Sequence, residues 1–136
     1  GVSAADRELA GRLLAAVGEV VWVDDDAALD AVTALSGSGP AYVFLILQAL
    51  IDGGCRLGLS AEQSRKLALA TMAGATRLAA ESDESPDVLR ERVTSKGGTT
   101  AAALKVMAEQ GLAQTVQQAM QAAAARAREM GNEFAG

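Results

Sequence analysis

The 136 residues contain no histidine and a single cysteine, Cys55. Histidine-based nucleophilic triads and the usual His/Cys zinc sets are therefore excluded. No disulfide can form within the chain, which suits a reducing, cytoplasmic setting. Cys55 follows Gly53-Gly54 in a helical pattern and reads as a small buried packer, not a reactive thiol. Aromatic residues make up only 3% of the chain, and 12 Lys and Arg face 17 Asp and Glu, a net charge of −5. With no basic stripe to displace counterions and no aromatic interleaving to stack bases, nucleic acid is not an expected partner. Ala41–Ile51 is the most apolar stretch, with polar atoms only on Tyr42 and Gln48. Gly53-Gly54 and Arg56 close it short of the ~20 residues a bilayer requires. The reading is a central core helix with no membrane partner, and the first residues lack the basic region of a signal peptide.

What is present is a globular composition, 50% hydrophobic and 21% charged, of a length that predicts one domain plus an appendage. Abundant alanine favours helices whose backbones approach closely, and such faces often meet a second chain.

Ser3 and Asp6 resemble a capping box, and Leu9, Leu13 and Val17 share one face, so a helix is predicted over Ala4–Ala16 with Gly18 as its stop. Val20–Val23 is the only strongly β-branched run and predicts one short strand. One strand makes no sheet: it either pairs with the same strand of a second chain or belongs to a sheet whose other strands lie outside the chain. Asp24-Asp25-Asp26 caps a helix to about Leu35. The triplet is not read as a metal site, because consecutive aspartates point in different directions and no further carboxylate joins them.

Ser36-Gly37-Ser38-Gly39-Pro40 then breaks that helix, with Pro40 at the start of the next. Its Gly-x-Gly fails as a dinucleotide fingerprint, since Tyr42 stands at the third glycine position and a helix precedes it. The elbow is either a plain interhelix turn or a small-residue approach to a ligand. Further helices are predicted over Ala41–Leu57, from the capping box of Ser60 and Gln63 to Ala80 with an apolar face of Leu67, Ala70, Ala75 and Leu78, and from Pro86 to Val93. Two more run over Thr100–Gln110 and Leu112–Met130, the latter with Leu112, Val116, Ala119, Ala123 and Ala127 on one stripe. Gly131 is read as its end, before a mobile tail.

Between the last short helix and Thr100 lies Val93-Thr94-Ser95-Lys96-Gly97-Gly98-Thr99-Thr100. Two glycines bare the backbone, Thr99 or Thr100 can cap the next helix, and the orphan N–H groups at a helix start attract an anion such as a carboxylate. A helix end contributes about 0.3–1 kcal/mol when exposed, and charge-assisted hydrogen bonds about 1.5–3 kcal/mol each. A small acid would be held only weakly without further walls. The plain alternative is that Gly97-Gly98 closes one helix and a threonine opens another.

This stretch with Ala103-Leu104, and Leu35-Ser36-Gly37-Ser38-Gly39-Pro40-Ala41-Tyr42 at the matching separation, closely resembles pyrroline-5-carboxylate reductase over practically the whole chain. The resemblance reaches the carboxyl-terminal part of that family. It implies an all-α helical bundle forming an interlocked dimer, able to assemble further into a decamer, with one short N-terminal strand. Residues 1–24 would be the last helix and strand of a dinucleotide-binding domain, and residues 25–136 the helical dimerisation and substrate-binding domain. By the same resemblance Val93, Ser95, Gly97, Gly98, Thr99 and Thr100 bind the carboxylate of 1-pyrroline-5-carboxylate, and Thr33 hydrogen-bonds the ring nitrogen. Lys96 departs from the family, which commonly has proline there. The implied reaction is reduction to L-proline with NADPH or NADH, whose binding residues are expected mostly outside this chain. On this reading the chain is a piece of a longer enzyme and inactive alone. The competing reading is a helical oligomerisation module without catalysis. A phosphate-binding domain is disfavoured, as no Gly-Lys-Ser or Gly-Lys-Thr follows a strand.

Overall fold

The computed structural model describes residues 2–135, and the side-chain surroundings of 2–133. Seven α-helices follow one another: α1 Ala4–Ala15, α2 Asp26–Val32, α3 Gly39–Arg56, α4 Ala61–Glu81, α5 Pro86–Arg92, α6 Thr99–Glu109 and α7 Leu112–Ala135. Local chemistry starts them as expected. Ser3 accepts from the Asp6 N–H, Asp25 from the Ala28 N–H at 2.7 Å, and Ser60 and Gln63 form a full reciprocal box. Gly58 ends the α3 region at φ +99° and Gly111 separates α6 from α7 at φ +68°, both in the left-handed region that glycine enters without strain.

Four expectations are corrected. Val20–Val23 is not a strand: among the described residues there is no sheet, and without a partner's ladder of hydrogen bonds a β-branched run stays irregular. The Ser36–Gly39 elbow does not break the chain's direction. A π-helical turn, Thr33–Gly37, links α2 to α3, and Asp26–Arg56 forms one helical run of 31 residues. That run is long and apolar enough to cross a bilayer by length and composition, contrary to the estimate from Ala41–Ile51. Part of its surface meets other helices of the chain. Asp30 reaches Arg128 of α7 at 3.5 Å, and α3 lies against α4 where Ser64 fills the space a Cβ on Gly54 would need. Finally, Gly131 does not end α7, which continues to Ala135; a glycine inside a helix costs about 1 kcal/mol relative to alanine, too little to stop a long one.

The expected core is also not where the sequence put it. Only Ala34, Ser64 and Ala68 are buried among the described residues; Cys55 is exposed, with its Sγ 3.5 Å from Ser64 Oγ, and Leu67 and Leu78 of α4 face outward. No residue of α3 is buried, and Phe44 is 67% exposed. A compact monomer of 13.8 kDa should show about 6,600 Å² of surface, whereas this chain shows 10961 Å². The excess of roughly 4,000 Å² per chain far exceeds the ~800 Å² per partner of an ordinary docking surface. It is the size of a core shared between intertwined chains.

This generates a first prediction. The chain sediments as a dimer or larger, and its melting temperature rises with concentration. Phe44→Asp, which on an exposed face should change stability by under about 0.5 kcal/mol, instead disperses the assembly or unfolds it. A stable, folded monomer by analytical ultracentrifugation would contradict the shared core.

Candidate functional site

The glycine loop is built from α5 outward. Ser85 opens α5, and its hydroxyl, with the helix-start N–H groups of Asp87 and Val88, holds the Asp87 carboxyl below its ordinary value. That favours the charged form at the helix start, a contribution present above the ordinary carboxylate range and lost as pH falls through the lowered value. Arg92 pairs with Glu84 behind the helix, and Thr94 closes the last turn, its Oγ1 donating to the Arg90 carbonyl at 2.6 Å. Then the chain reverses. The Gly98 N–H donates to the Ser95 carbonyl at 3.0 Å, with Gly97 at φ +72° in the third position of the turn. This is the geometry of a type II turn, which needs glycine at that place and accepts proline just before it, where Lys96 stands. A Cβ on Gly98 would run into Ser95 Oγ and lie 3.2 Å from the Ser95 carbonyl oxygen. Gly97 is required by its φ, while a side chain at Gly98 would have to displace the Ser95 hydroxyl and press on its carbonyl.

The cap of α6 is Gly98 itself, not Thr99 or Thr100, which become the first helical residues. No side chain caps this end. The Ala102 N–H reaches the Gly98 carbonyl, but among the described residues the amides of Thr99, Thr100 and Ala101 have no acceptor. Thr99 is exposed and Thr100 half-buried. Three N–H groups at the positive end of an 11-residue helix thus face outward beside the Ser95, Thr99 and Thr100 hydroxyls. Such an arrangement can take a carboxylate.

Thr33 lies at the start of the π turn. Its Oγ1 donates to the Leu29 carbonyl at 3.0 Å, and its methyl rests where a Cβ on Gly37 would come within 3.6 Å. The hydroxyl is directed at the Leu29 carbonyl, and the oxygen's lone pairs remain free to accept a hydrogen bond. The Ser38 N–H bonds back to the Thr33 carbonyl at 2.9 Å, a residue further than α-geometry allows, while the neighbouring Ala34 carbonyl accepts from the Tyr42 hydroxyl at 3.2 Å. Sequence reasoning gives Tyr42 no role beyond displacing a third glycine, and the hydropathy pattern carries no signal for a π turn.

The single chain does not unite Thr33 with the glycine loop. An open cleft of about 560 Å³ lies between residues 14–21 and the π turn, and another of about 430 Å³ between α3, α6 and the start of α7. Neither is lined by Thr33 or by any of residues 93–100. Among the described residues no group of His, Cys, Asp or Glu is arranged to hold a metal ion. The glycines of the π turn sit within a helix, with no strand before them, and do not form a dinucleotide phosphate site.

An all-α chain with an unfinished core defines an oligomer-forming domain. The comparisons with known proteins place it in a family. The family model for pyrroline-5-carboxylate reductase dimerisation matches residues 26–130, and the chain belongs to that family. Relatives include the pyrroline-5-carboxylate reductases of Pseudomonas aeruginosa, 51% identical over 98% of this chain and 49% of that protein, and Haemophilus influenzae, 46% identical over 94% and 48%. Among solved structures, the Plasmodium falciparum pyrroline carboxylate reductase with NADP bound is 33% identical with a TM-score of 0.90, covering 96% of this chain and 52% of that one. The Coxiella burnetii enzyme is 42% identical with a TM-score of 0.89, covering 94% and 47%. The chain spans about half the length of the relatives it matches.

The turn geometry predicts opposite effects at adjacent positions. Among the described residues the Lys96 N–H has no acceptor, so Lys96→Pro removes no bond and stabilises by about 0.4–1 kcal/mol through the unfolded chain. Gly97→Ala, forced into the left-handed region, destabilises by about 1 kcal/mol. Denaturant midpoints measure both, and a destabilising Lys96→Pro would rule out the type II assignment.

Proposed function

We propose that this chain is the dimerisation and substrate-holding part of a pyrroline-5-carboxylate reductase, which reduces 1-pyrroline-5-carboxylate to L-proline with NADPH or NADH. The observation that carries the reading is the set of three unpartnered amides at Thr99, Thr100 and Ala101. In the bound state they take the substrate carboxylate, with Ser95, Thr99 and Thr100 adding hydroxyls, Gly97 and Gly98 baring the backbone and Val93 at the loop's edge. Thr33 takes the ring nitrogen. Because its proton is committed to the Leu29 carbonyl, the Thr33 oxygen is an acceptor, the complement of a protonated imine N–H. A carboxylate held at one end of the ring and an N–H held at the other fix which face of the C=N bond is presented.

Residues 1–24 belong in this reading with the dinucleotide-binding unit, in keeping with a family match that begins at residue 26, and residues 25–136 form the dimerisation and substrate domain. The nicotinamide cofactor is held outside the described helices, since no phosphate-binding turn exists among them. A homodimer completes the core, and the unusually large open surface also suits the decamer. A lone free cysteine fits a cytoplasmic protein.

The purely structural module makes a different prediction for ligand titration. L-proline at tens of millimolar shifts the amide resonances of Gly97–Thr100 in this chain, and cyclopentanecarboxylate does so as well. Silence at these amides with both acids favours the module. In the same solution NADPH or NADH is not consumed with 1-pyrroline-5-carboxylate; steady oxidation would overturn the division of labour between this chain and a separate cofactor unit.

A further inference from the structure

A π turn carries one residue more than the helix around it can pair, and here the unpaired group is identifiable. The Ser38 N–H, which in α-geometry would satisfy the Ala34 carbonyl, is drawn to Thr33. Ala34 is 2% exposed, so its carbonyl has little access to water, and the partner it finds is a side chain: the Tyr42 hydroxyl, one turn into α3. Tyr42 is itself half-buried and lines an apolar cleft together with Leu45, Ile46, Val116 and Ala119. The phenol therefore ties α3 back onto the turn that bears Thr33. A buried acceptor left unmet shifts a local equilibrium by about five-fold or more, and π turns recur at functional sites because they re-aim side chains.

We propose that Tyr42 is a positioning residue for Thr33: its hydroxyl, by satisfying the Ala34 carbonyl, holds the π turn in the form that aims the Thr33 oxygen at the ring N–H. The inference rests on the assignment of Thr33 to the ring nitrogen. Tyr42 itself does not touch the substrate; its effect is confined to ligands that offer a ring N–H, and a carboxylate lacking one should not sense it.

L-proline and cyclopentanecarboxylate separate the two, since both have the carboxylate and only proline has the ring N–H. Their dissociation constants are read from the Gly98–Thr100 amide shifts of the wild-type chain, Tyr42→Phe, Thr33→Val and the double variant. Tyr42→Phe keeps the ring and removes only the hydroxyl. Thr33→Val lowers the preference for proline about ten-fold or more, the loss of a hydrogen bond to a charged donor. Tyr42→Phe is expected to lower it about three- to ten-fold, to leave cyclopentanecarboxylate unchanged, and to add nothing once Thr33 is valine. Equal weakening of both acids, an unchanged preference, or full additivity in the double variant overturns the positioning role. If the wild-type chain itself shows no preference for proline, the assignment of Thr33 has failed and this inference with it, an outcome visible before any Tyr42 variant is made.

Discussion

Burial of apolar helix faces that one chain cannot cover is the constraint from which the rest of this structure follows. Hydrophobic burial supplies the dominant favourable term in folding, and a chain with three buried residues among those described has barely begun to collect it. The helices are long, well capped and alanine-rich, so each can form locally, but their mutual contacts within the chain are few: α3 with α4, α7 with α2 and the π turn, α6 with α7. The small residues at these crossings let backbones approach closely, as where Ser64 sits against Gly54. Most of the apolar surface of these helices is therefore left for contacts outside the single chain.

A loop can nevertheless have a defined shape without being buried. The Ser95–Gly98 turn draws little order from packing; its shape is set by a main-chain hydrogen bond, by the positive φ of Gly97 and by the absence of a Cβ at Gly98. These are backbone constraints and survive exposure. What they leave unsatisfied, the first amides of α6, is held out for something else. A carboxylate on three N–H groups gains at most a few kcal/mol, near the ~4 kcal/mol of a millimolar ligand, so tight and selective holding requires a second contact on the ring.

The legibility of the sequence divides along the same line. Capping chemistry is local, so Ser3, Asp25, Ser60 and Pro86 announced their helices, and Gly97-Gly98 announced a turn with donors beside it. Burial is not local. Periodicity puts Leu67 and Leu78 on one apolar face and the small residues around Cys55 suggest a packed site, but neither says which molecule covers them. Val20–Val23 has β-propensity, but a strand is a relation between two segments and the second is not among the described residues. Gly131 was read as a stop because glycine favours helix ends, yet its cost is small against twenty-odd residues of continuing helix. The Gly-x-Gly elbow misled for another reason: glycines, serines and proline permit a break, and they equally permit the tighter accommodation of a π turn.

The π turn shows why that accommodation is worth its cost. A clean break after Leu35 would have let α2 and α3 pivot, with Thr33 on a frayed helix end. An uninterrupted α-helix would have turned Thr33 by a different angle and returned the Ser38 N–H to Ala34. The observed turn does neither: it carries the helical direction through from Asp26 to Arg56 while rotating the faces before and after it out of register by one residue. α2 can therefore keep Asp30 on Arg128 of α7 while α3 presents its own face to α4 and to the cleft around Val116. The extra residue in the turn is what reconciles two packing surfaces that a regular helix could not satisfy together, and Thr33 occupies the position where they change over.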